Sequence, residues 1–377
     1  QNGVFGNNTN AVTANTKISV SDLTIHNTSE RAGGWASVIG YNAYSAEVSY
    51  TNCTFKNLGA AIYCNPVTKE NSGSSAPSIT ITGCTFTKSG GIGMDYVNSV
   101  MIPEITFENN KGITQNLVTL ENADGSEQVF TQIQAAIDNA TDGATITVGP
   151  GNYDGNITFG GTSLTIQAQY PAYKDGVRED ETSKLSQFTG TFNTYGENSS
   201  SFNDEQKVVI EGFALSGDGL KIGNQNYNSV GNLEVRHCTM TFGENSTSNN
   251  ANPYAGWNYF VKTSGNNDEK YASVTVEDNY ISGTPAENIF PIQLWDVDNA
   301  AVQNNVMNLS NAEDKQAINI SKMDDAATVT ITDNTIRGAG GGIYVTTWYL
   351  GGMTDSNNKT FIGSITVEDN TMDCAES

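Results

Sequence analysis

This chain is short of histidine, positive charge, proline and long apolar runs. Its two histidines, His26 and His237, fall on separate segments, so a histidine general base or a histidine metal cluster fits poorly. Lys and Arg number 18 against 41 Asp and Glu, for a formal net charge of -23. A surface this acidic repels nucleic acid and anionic membranes, and no nucleic-acid partner is expected. It can hold divalent cations, and calcium is the one ion left open as a cofactor. No apolar run approaches the ~20 residues of a membrane helix, so no membrane insertion is expected. The cysteines are Cys53, Cys64, Cys84, Cys238 and Cys374. Their odd number and the lack of a CxxC pair argue against a structural zinc site and against a disulfide framework. The chain opens at Gln1 without a Met or a signal-like apolar stretch. The expectation is a mature form or a fragment whose targeting information lies elsewhere.

What is present in quantity is Gly, at 38 residues, together with Asn, and Asn recurs within one repeated phrase. It reads VSYTNCTF at 48–55, ITITGCTF at 79–86, LEVRHCTM at 233–240, VTVEDNYI at 274–281, VQNNVM at 302–307, VTITDNTI at 329–336 and SITVEDNTM at 364–372. Looser copies are ISVSDLTI at 18–25 and ITFENN at 105–110. Apolar residues alternate with polar ones, as in a strand with one buried face. A turn at Asn or Cys follows, and then another apolar residue. In the first part of the chain the turn position recurs at Leu23, Cys53, Cys84 and Asn110, roughly 26 to 31 residues apart. It returns at Cys238, Asn279, Asn305, Asn334 and Asn370. A unit of this length cannot bury a face alone, whereas stacked units make a continuous core. The pattern predicts an all-β right-handed parallel β-helix with three strands per coil and an Asn/Cys ladder at the tight turn. In that ladder each amide serves the turn backbone, and the cysteines act as small hydrophobes.

The alternation breaks at SEQVFTQIQAAIDNA, whose apolar spacing is helical. An amphipathic capping helix is expected near 127–140. Residues 1–122 then form the coils of a first segment, and 123–377 a second, freshly capped one, with polar inserts near 170–207 and 244–257. The run QIQAAIDNATDGATITVGPGNYDGNITF at 132–159, followed by LTIQA, resembles the N-terminal cap and first coils of pectin-lyase-like β-helix proteins. In that family an amphipathic helix plugs the open end of the coil, and the outer face of one sheet forms a polysaccharide groove.

That resemblance directs attention to the strands PIQLWDVDN, AINISKMDD and GIYVTTWYLGG. If Ile292 and Leu294 point inward, Gln293 and Trp295 point outward. Asn319 and Ser321 follow one coil on, then Tyr344, with Trp348 in the adjoining turn and Lys262 one coil before. Aromatic faces suit sugar C–H surfaces, while amides and hydroxyls suit sugar hydroxyls. Gln293, Trp295, Asn319, Ser321, Tyr344 and Trp348 are therefore the expected ligand-binding residues. The family's hydrolases carry an Asn-x-Asp strand, an Asp-Asp pair, a Gly-His-Gly and an Arg-x-Lys on successive coils, and that constellation is missing. The Asp324-Asp325 pair lies after its strand. Gln293 and Asp296 fit the esterase pattern only loosely. A lyase would draw calcium carboxylates from Asp296, Asp298, Asp324 and Asp325 and a base from Lys262 or Lys322, which together with Asp324 and Asp325 are the catalytic candidates. Lysine needs a depressed pKa for such work.

The expectation is a secreted or cell-surface, adhesin-like protein that binds a polysaccharide or cell-surface glycan without catalysis. The alternative is a polysaccharide lyase or glycoside hydrolase acting in the same groove on a plant or host glycan.

Overall fold

The computed structural model describes residues 13–28, 34–40, 43–65, 67–68, 75–87, 89–94, 100–101, 103–112, 114–115, 117–159, 161–194, 205–217, 219–223, 231–243, 259–263, 271–284, 290–295, 297–321, 326–345 and 363–373. Among them the protein is nearly all β, with long parallel sheets. No helix among the described residues is long and apolar enough to cross a membrane. The chain divides into two compact units, 1–139 with 146–151, and 140–145 with 152–377.

In the first unit, Lys17–Ser21, Glu47–Thr51, Ser78–Thr82 and Glu104–Glu108 form a four-stranded parallel sheet in strict register. Ile18, Val48, Ile79 and Ile105 align in one column, and Val20, Tyr50, Ile81 and Phe107 in the next. Because the side-chain period is two, one slip would turn both columns outward, and burial therefore fixes the register. Each strand then meets a residue in the left-handed region: Asp22, Asn52, Gly83 or Asn109, with φ of 58°, 53°, 66° and 55°. Only Gly takes this conformation freely, and Asn and Asp tolerate it best among the rest. The turn sends the chain into a second parallel sheet of Thr24–His26, Thr54–Lys56 and Thr85–Thr87. There Ile25, Phe55 and Phe86 form the buried column, with Phe55 and Phe86 stacked at 5.1 Å. A third parallel sheet, Trp35–Ile39, Ala60–Cys64 and Ile92–Met94, supplies the remaining wall. The enclosed side chains include Val48, Tyr50, Ile62, Ile79 and Ile81, all essentially inaccessible.

The helix expected over 127–140 is shorter and begins later, at Ile133–Asp138. Glu127–Phe130 is instead a strand, antiparallel to Val118–Glu121. The reason is local: Asp124-Gly125 closes a hairpin. Gly125 has φ 82°, its N–H donates to Asn122 O at 2.9 Å, and Asp124 Oδ1 accepts from Ser126 N–H at 2.9 Å. Asp-Gly between alternating residues is a strong hairpin signal, and it takes Val129 and Phe130 out of the helix. The helix packs on both hairpin strands through buried Ile133, Ala136 and Ile137.

The second unit uses the same grammar. Leu164–Ala168, Lys207–Glu211, Asn232–Arg236, Ser273–Glu277, Asn299–Gln303, Thr328–Thr332 and Ser364–Glu368 run parallel and in register. Left-handed residues again follow the strands, among them His237, Asp278, Asn304, Asp333 and Asp369. The residue after each is Cys238, Asn279, Asn305, Asn334 or Asn370. The backbone N–H of Cys238 donates to Asn279 Oδ1 at 3.0 Å. That of Asn305 donates to Asn334 Oδ1 at 3.1 Å, and that of Asn334 to Asn370 Oδ1 at 3.0 Å. The Asn305 amide also donates to Val276 O at 2.9 Å and Gln303 O at 3.0 Å. In the first unit Cys53 N–H donates to Cys84 Sγ at 3.3 Å, and Cys84 N–H to Asn110 Oδ1 at 2.8 Å. The four described cysteines are free thiols, buried.

Candidate functional site

The expected site lies in the second unit, on the parallel strands Leu220–Gly223, Tyr259–Lys262 and Ile292–Trp295 and the later parts of the longer strands Val306–Ser321 and Thr335–Val345. Alternation assigns the two faces. Leu220, Ile222, Tyr259, Val261, Ile292, Leu294, Ile318 and Ile320 turn to the core and are buried. The pairing register places Gly223, Lys262, Gln293, Asn319 and Tyr344 side by side on the other face. Trp295 and Ser321 form the neighbouring row. Adjacent strands lie about 4.8 Å apart, so the first row is a line of side chains running across the strands.

That face is not an open, solvated sheet surface. Lys262 is 6%, Gln293 2% and Asn319 8% exposed, whereas Tyr344 is 43% exposed. The row is closed at Gln293 and opens towards Tyr344. Phe260, on the same face by alternation, is wholly buried. Strand alternation reveals which side a residue takes but not what lies above it.

The register carries the row on from Gly223 to Asn193 and Thr158, and Gly223 itself leaves a gap in it because the strand carrying Lys262 runs too close for a side chain. A Cβ on Gly223 would meet Lys262 O at 1.7 Å, and its φ is 126°. The Lys262 ammonium sits 4.8 Å from the Tyr259 ring centroid and 5.7 Å from that of Trp295. Both rings favour the charged amine. Thr263 fixes the Trp295 strand, with Oγ1 2.9 Å from both the N and the O of Trp295. Asn319 Nδ2 donates to Gln316 Oε1 at 2.9 Å, and Ser321 Oγ donates to Asn319 Oδ1 at 3.1 Å. Gln293 Oε1 is buried and has no hydrogen-bond partner among the described residues.

Of the residues singled out from the sequence, Lys262, Gln293, Trp295, Asn319, Ser321 and Tyr344 are brought together here. Asp298 is backbone-paired away from them, its N–H donating to Tyr271 O at 2.9 Å and its carbonyl accepting from Thr328 at 2.9 Å. Asp296, Lys322, Asp324, Asp325 and Trp348 lie outside the described residues. Among the described residues no three His, Cys, Asp or Glu side chains gather into a cation site. Sequence reasoning passed over Tyr259, Thr263 and Gln316. Tyr259 and Thr263 flank Lys262 in YFVKT, but a tyrosine at an inward position reads as core.

A charged cluster elsewhere in this unit surrounds His237. Its Nδ1 lies 2.8 Å from Glu211 Oε1 and its Nε2 3.4 Å from Asp278 Oδ2. Arg236 donates to Glu211 at 2.9 Å and to Glu234 at 2.5 Å, and Lys207 also pairs with Glu234. Burial pushes the Glu211 carboxyl up, but the hydrogen bonds from His237 and Arg236 outweigh it and leave the group below the usual carboxylate range. The hairpin of Tyr173–Lys174 and Val177–Arg178 docks against this cluster. Asp175 N–H donates to Asp278 Oδ2 at 2.9 Å, and Arg178 lies 5.5 Å over the Tyr280 ring. Every charged group here has a partner within the cluster, so the network pins a hairpin to the turns beneath it.

Comparison with models of known protein families, with curated proteins and with solved structures yields no match.

Proposed function

We propose that this chain is a non-catalytic carbohydrate-binding protein of the cell surface or extracellular space, built of right-handed parallel β-helix coils. Support for the coil comes from in-register parallel sheets joined, repeat after repeat, by one left-handed residue and one ladder residue. Parallel crossovers in one sheet are nearly always right-handed.

The binding reading is carried by Gln293. A buried acceptor without a donor costs about 1–3 kcal/mol, and such groups persist where a ligand supplies the missing half. A sugar hydroxyl is a donor of the right kind. Beside Gln293 in register stand Asn319 and Lys262, whose ammonium meets the Tyr259 and Trp295 rings, and the row opens at Tyr344. Aromatic rings with a few placed polar groups make a binding site. A glycan laid across the strands would meet Tyr344 first and Gln293 at the closed end.

The lyase alternative would use Lys262, beside the Tyr259 and Trp295 rings, as its base. The test is a glycan array probed with the wild-type chain, Trp295→Ala and Gln293→Leu, alongside an ultraviolet assay for unsaturated products on a polysaccharide panel. Retention of at least one glycan, lost in both variants and without turnover, is the expected result. Absence of retention, or retention that both variants share, would overturn the reading. Turnover abolished by Lys262→Ala would replace it with the lyase.

A further inference from the structure

Among the described residues, the left-handed turn after a long strand is made by Asp, Asn or Gly in every coil but one. The coils beside it use Gly212 and Asp278, and the exception is His237, with φ 58°. Asn or Asp would make this turn as readily, so the backbone does not call for an imidazole. What sets the ring apart is its surroundings. Each of its nitrogens faces a carboxylate oxygen, Nδ1 that of Glu211 at 2.8 Å and Nε2 that of Asp278 at 3.4 Å. The His237 and Glu211 side chains are each 15% exposed and that of Asp278 is 17% exposed.

An imidazole with one proton donates from one nitrogen and presents a lone pair at the other. Only the doubly protonated ring suits both carboxylates. Glu211 is also held by Arg236, at 2.9 Å, in either state. Asp278 is the partner that feels the change, and the same Oδ2 that faces the ring accepts the Asp175 N–H at 2.9 Å. Asp175 lies at the tip of the hairpin of Tyr173–Lys174 and Val177–Arg178. The base of that hairpin is held by other means. Ala172 N–H donates to Gly212 O at 2.9 Å and Tyr173 N–H to His237 O at 3.0 Å, and the Tyr173 and Tyr280 rings lie 5.8 Å apart.

The other charged groups around the ring come from three sides. Its own strand brings Arg236 and Glu234, the latter paired with Lys207, and the next coil brings Glu277 near Arg236. The hairpin brings Lys174, Asp175 and Arg178, all exposed. Carboxylates, Lys and Arg ordinarily titrate outside the interval from about pH 5 to about pH 8, and histidine titrates within it. Burial and the Asp278 charge raise the Tyr173 hydroxyl, so it stays neutral there.

We propose that His237 is a pH-dependent clasp on the 173–178 hairpin: the doubly protonated ring holds Asp278 in place to receive the Asp175 N–H, and loss of the Nε2 proton loosens the tip while the base stays docked. The tip is therefore held under acid conditions and freed as pH rises. The clasp uses none of the residues in the row from Lys262 to Tyr344.

The experiment is amide-resolved hydrogen exchange of the full chain by NMR, from about pH 5.5 to about pH 8, corrected for intrinsic exchange rates. The readout is protection of the Asp175 amide divided by that of Tyr173. In the wild type this ratio should fall about fivefold as pH rises, the weight of one modest ion pair. It should stay flat in His237→Asn and in Asp278→Asn, since Asn tolerates the left-handed turn at both positions. A flat ratio in the wild type, including equal falls at Asp175 and Tyr173, would overturn the proposal. A fall of wild-type size in His237→Asn would do so too. Should circular dichroism show that His237→Asn does not fold, a wild-type fall in Asp278→Asn overturns it instead.

Discussion

Asn279 gives two hydrogen bonds to a single atom of Asn305. Its side-chain Nδ2 donates to Asn305 Oδ1 at 3.0 Å and its backbone N–H at 3.1 Å. Asn305 does the same to Asn334, at 3.0 Å and 3.1 Å. All three side chains are wholly buried. Truncating Asn305 leaves the backbone N–H of Asn279 without its acceptor and takes one donor each from the carbonyls of Val276 and Gln303, while Asn279 Nδ2 keeps Val235 O and Glu277 O. At about 1–3 kcal/mol for an unmet buried group, Asn305→Ala should destabilise by about 1–3 kcal/mol in urea unfolding. Asn305→Cys should cost less, because a thiol sulfur accepts a backbone N–H in this same slot at Cys84.

The residue before each rung carries a different demand. Asp333 has φ 58° and its side chain is exposed. Asp333→Val places a β-branched side chain in the left-handed region and should cost about 1–2 kcal/mol. Asp333→Gly should be neutral or slightly stabilising, since Gly adopts that region without strain. Thermal midpoints of the two variants, compared with the wild type, check the sign of each change.

Glu211 ties stability to pH. Its carboxyl lies below the usual range in the folded state because the hydrogen bonds from His237 and Arg236 outweigh its burial. A depressed folded pKa contributes stability that is complete above the unfolded value of about 4.3 and is lost as pH falls through the folded value. Urea midpoints of the wild type should therefore fall more steeply below about pH 4.3 than those of Glu211→Gln. Parallel curves would show that the Glu211 contacts carry no net linkage.

Buried thiols should be silent. Burial pushes Cys64 and Cys238 up to about 12 and raises Cys84 as well. Since the thiolate is the reactive form, a thiol reagent at pH 8 should leave these three peptides unlabelled in the native protein. All three should be labelled once urea unfolds the chain, with mass mapping of the peptides as the readout.

Gln293→Leu separates binding from folding. Leucine fills a similar volume and removes the unpartnered Oε1. If that oxygen serves a ligand, the variant should unfold at equal or higher urea, by up to about 1 kcal/mol, while losing glycan retention. A variant that is less stable and still binds would assign Gln293 to the scaffold.

The scaffold was legible because its constraints are local. Alternation marked Val48 and Tyr50 or Ile79 and Ile81 as one face, and the Asn or Cys after a left-handed residue marked the turn. The first strand of the 118–130 hairpin was legible too. Its second was not, since the spacing of Val129, Phe130 and Ile133 suits a helix and only Asp124-Gly125 argues otherwise. The row from Lys262 to Tyr344 was predicted as a set, because register follows from counting between rungs. Its burial was not, because the depth of Gln293 depends on segments far away in sequence. For the same reason Tyr259 passed as core, although its ring also meets the Lys262 ammonium.

The hydrogen bonds of the rungs all run in one direction along the chain. Asn279 leans on Asn305, Asn305 on Asn334 and Asn334 on Asn370, while each amide draws its remaining support from the carbonyls of earlier strands. Damage at a rung therefore spreads backwards. Loss of the Asn370 side chain strips two acceptor contacts from Asn334, whereas loss of the Asn279 side chain leaves Oδ1 of Asn305 merely less used. Backbone amide exchange should record this as a one-sided scar, with the turn before a substituted rung opening sooner than the turn after it.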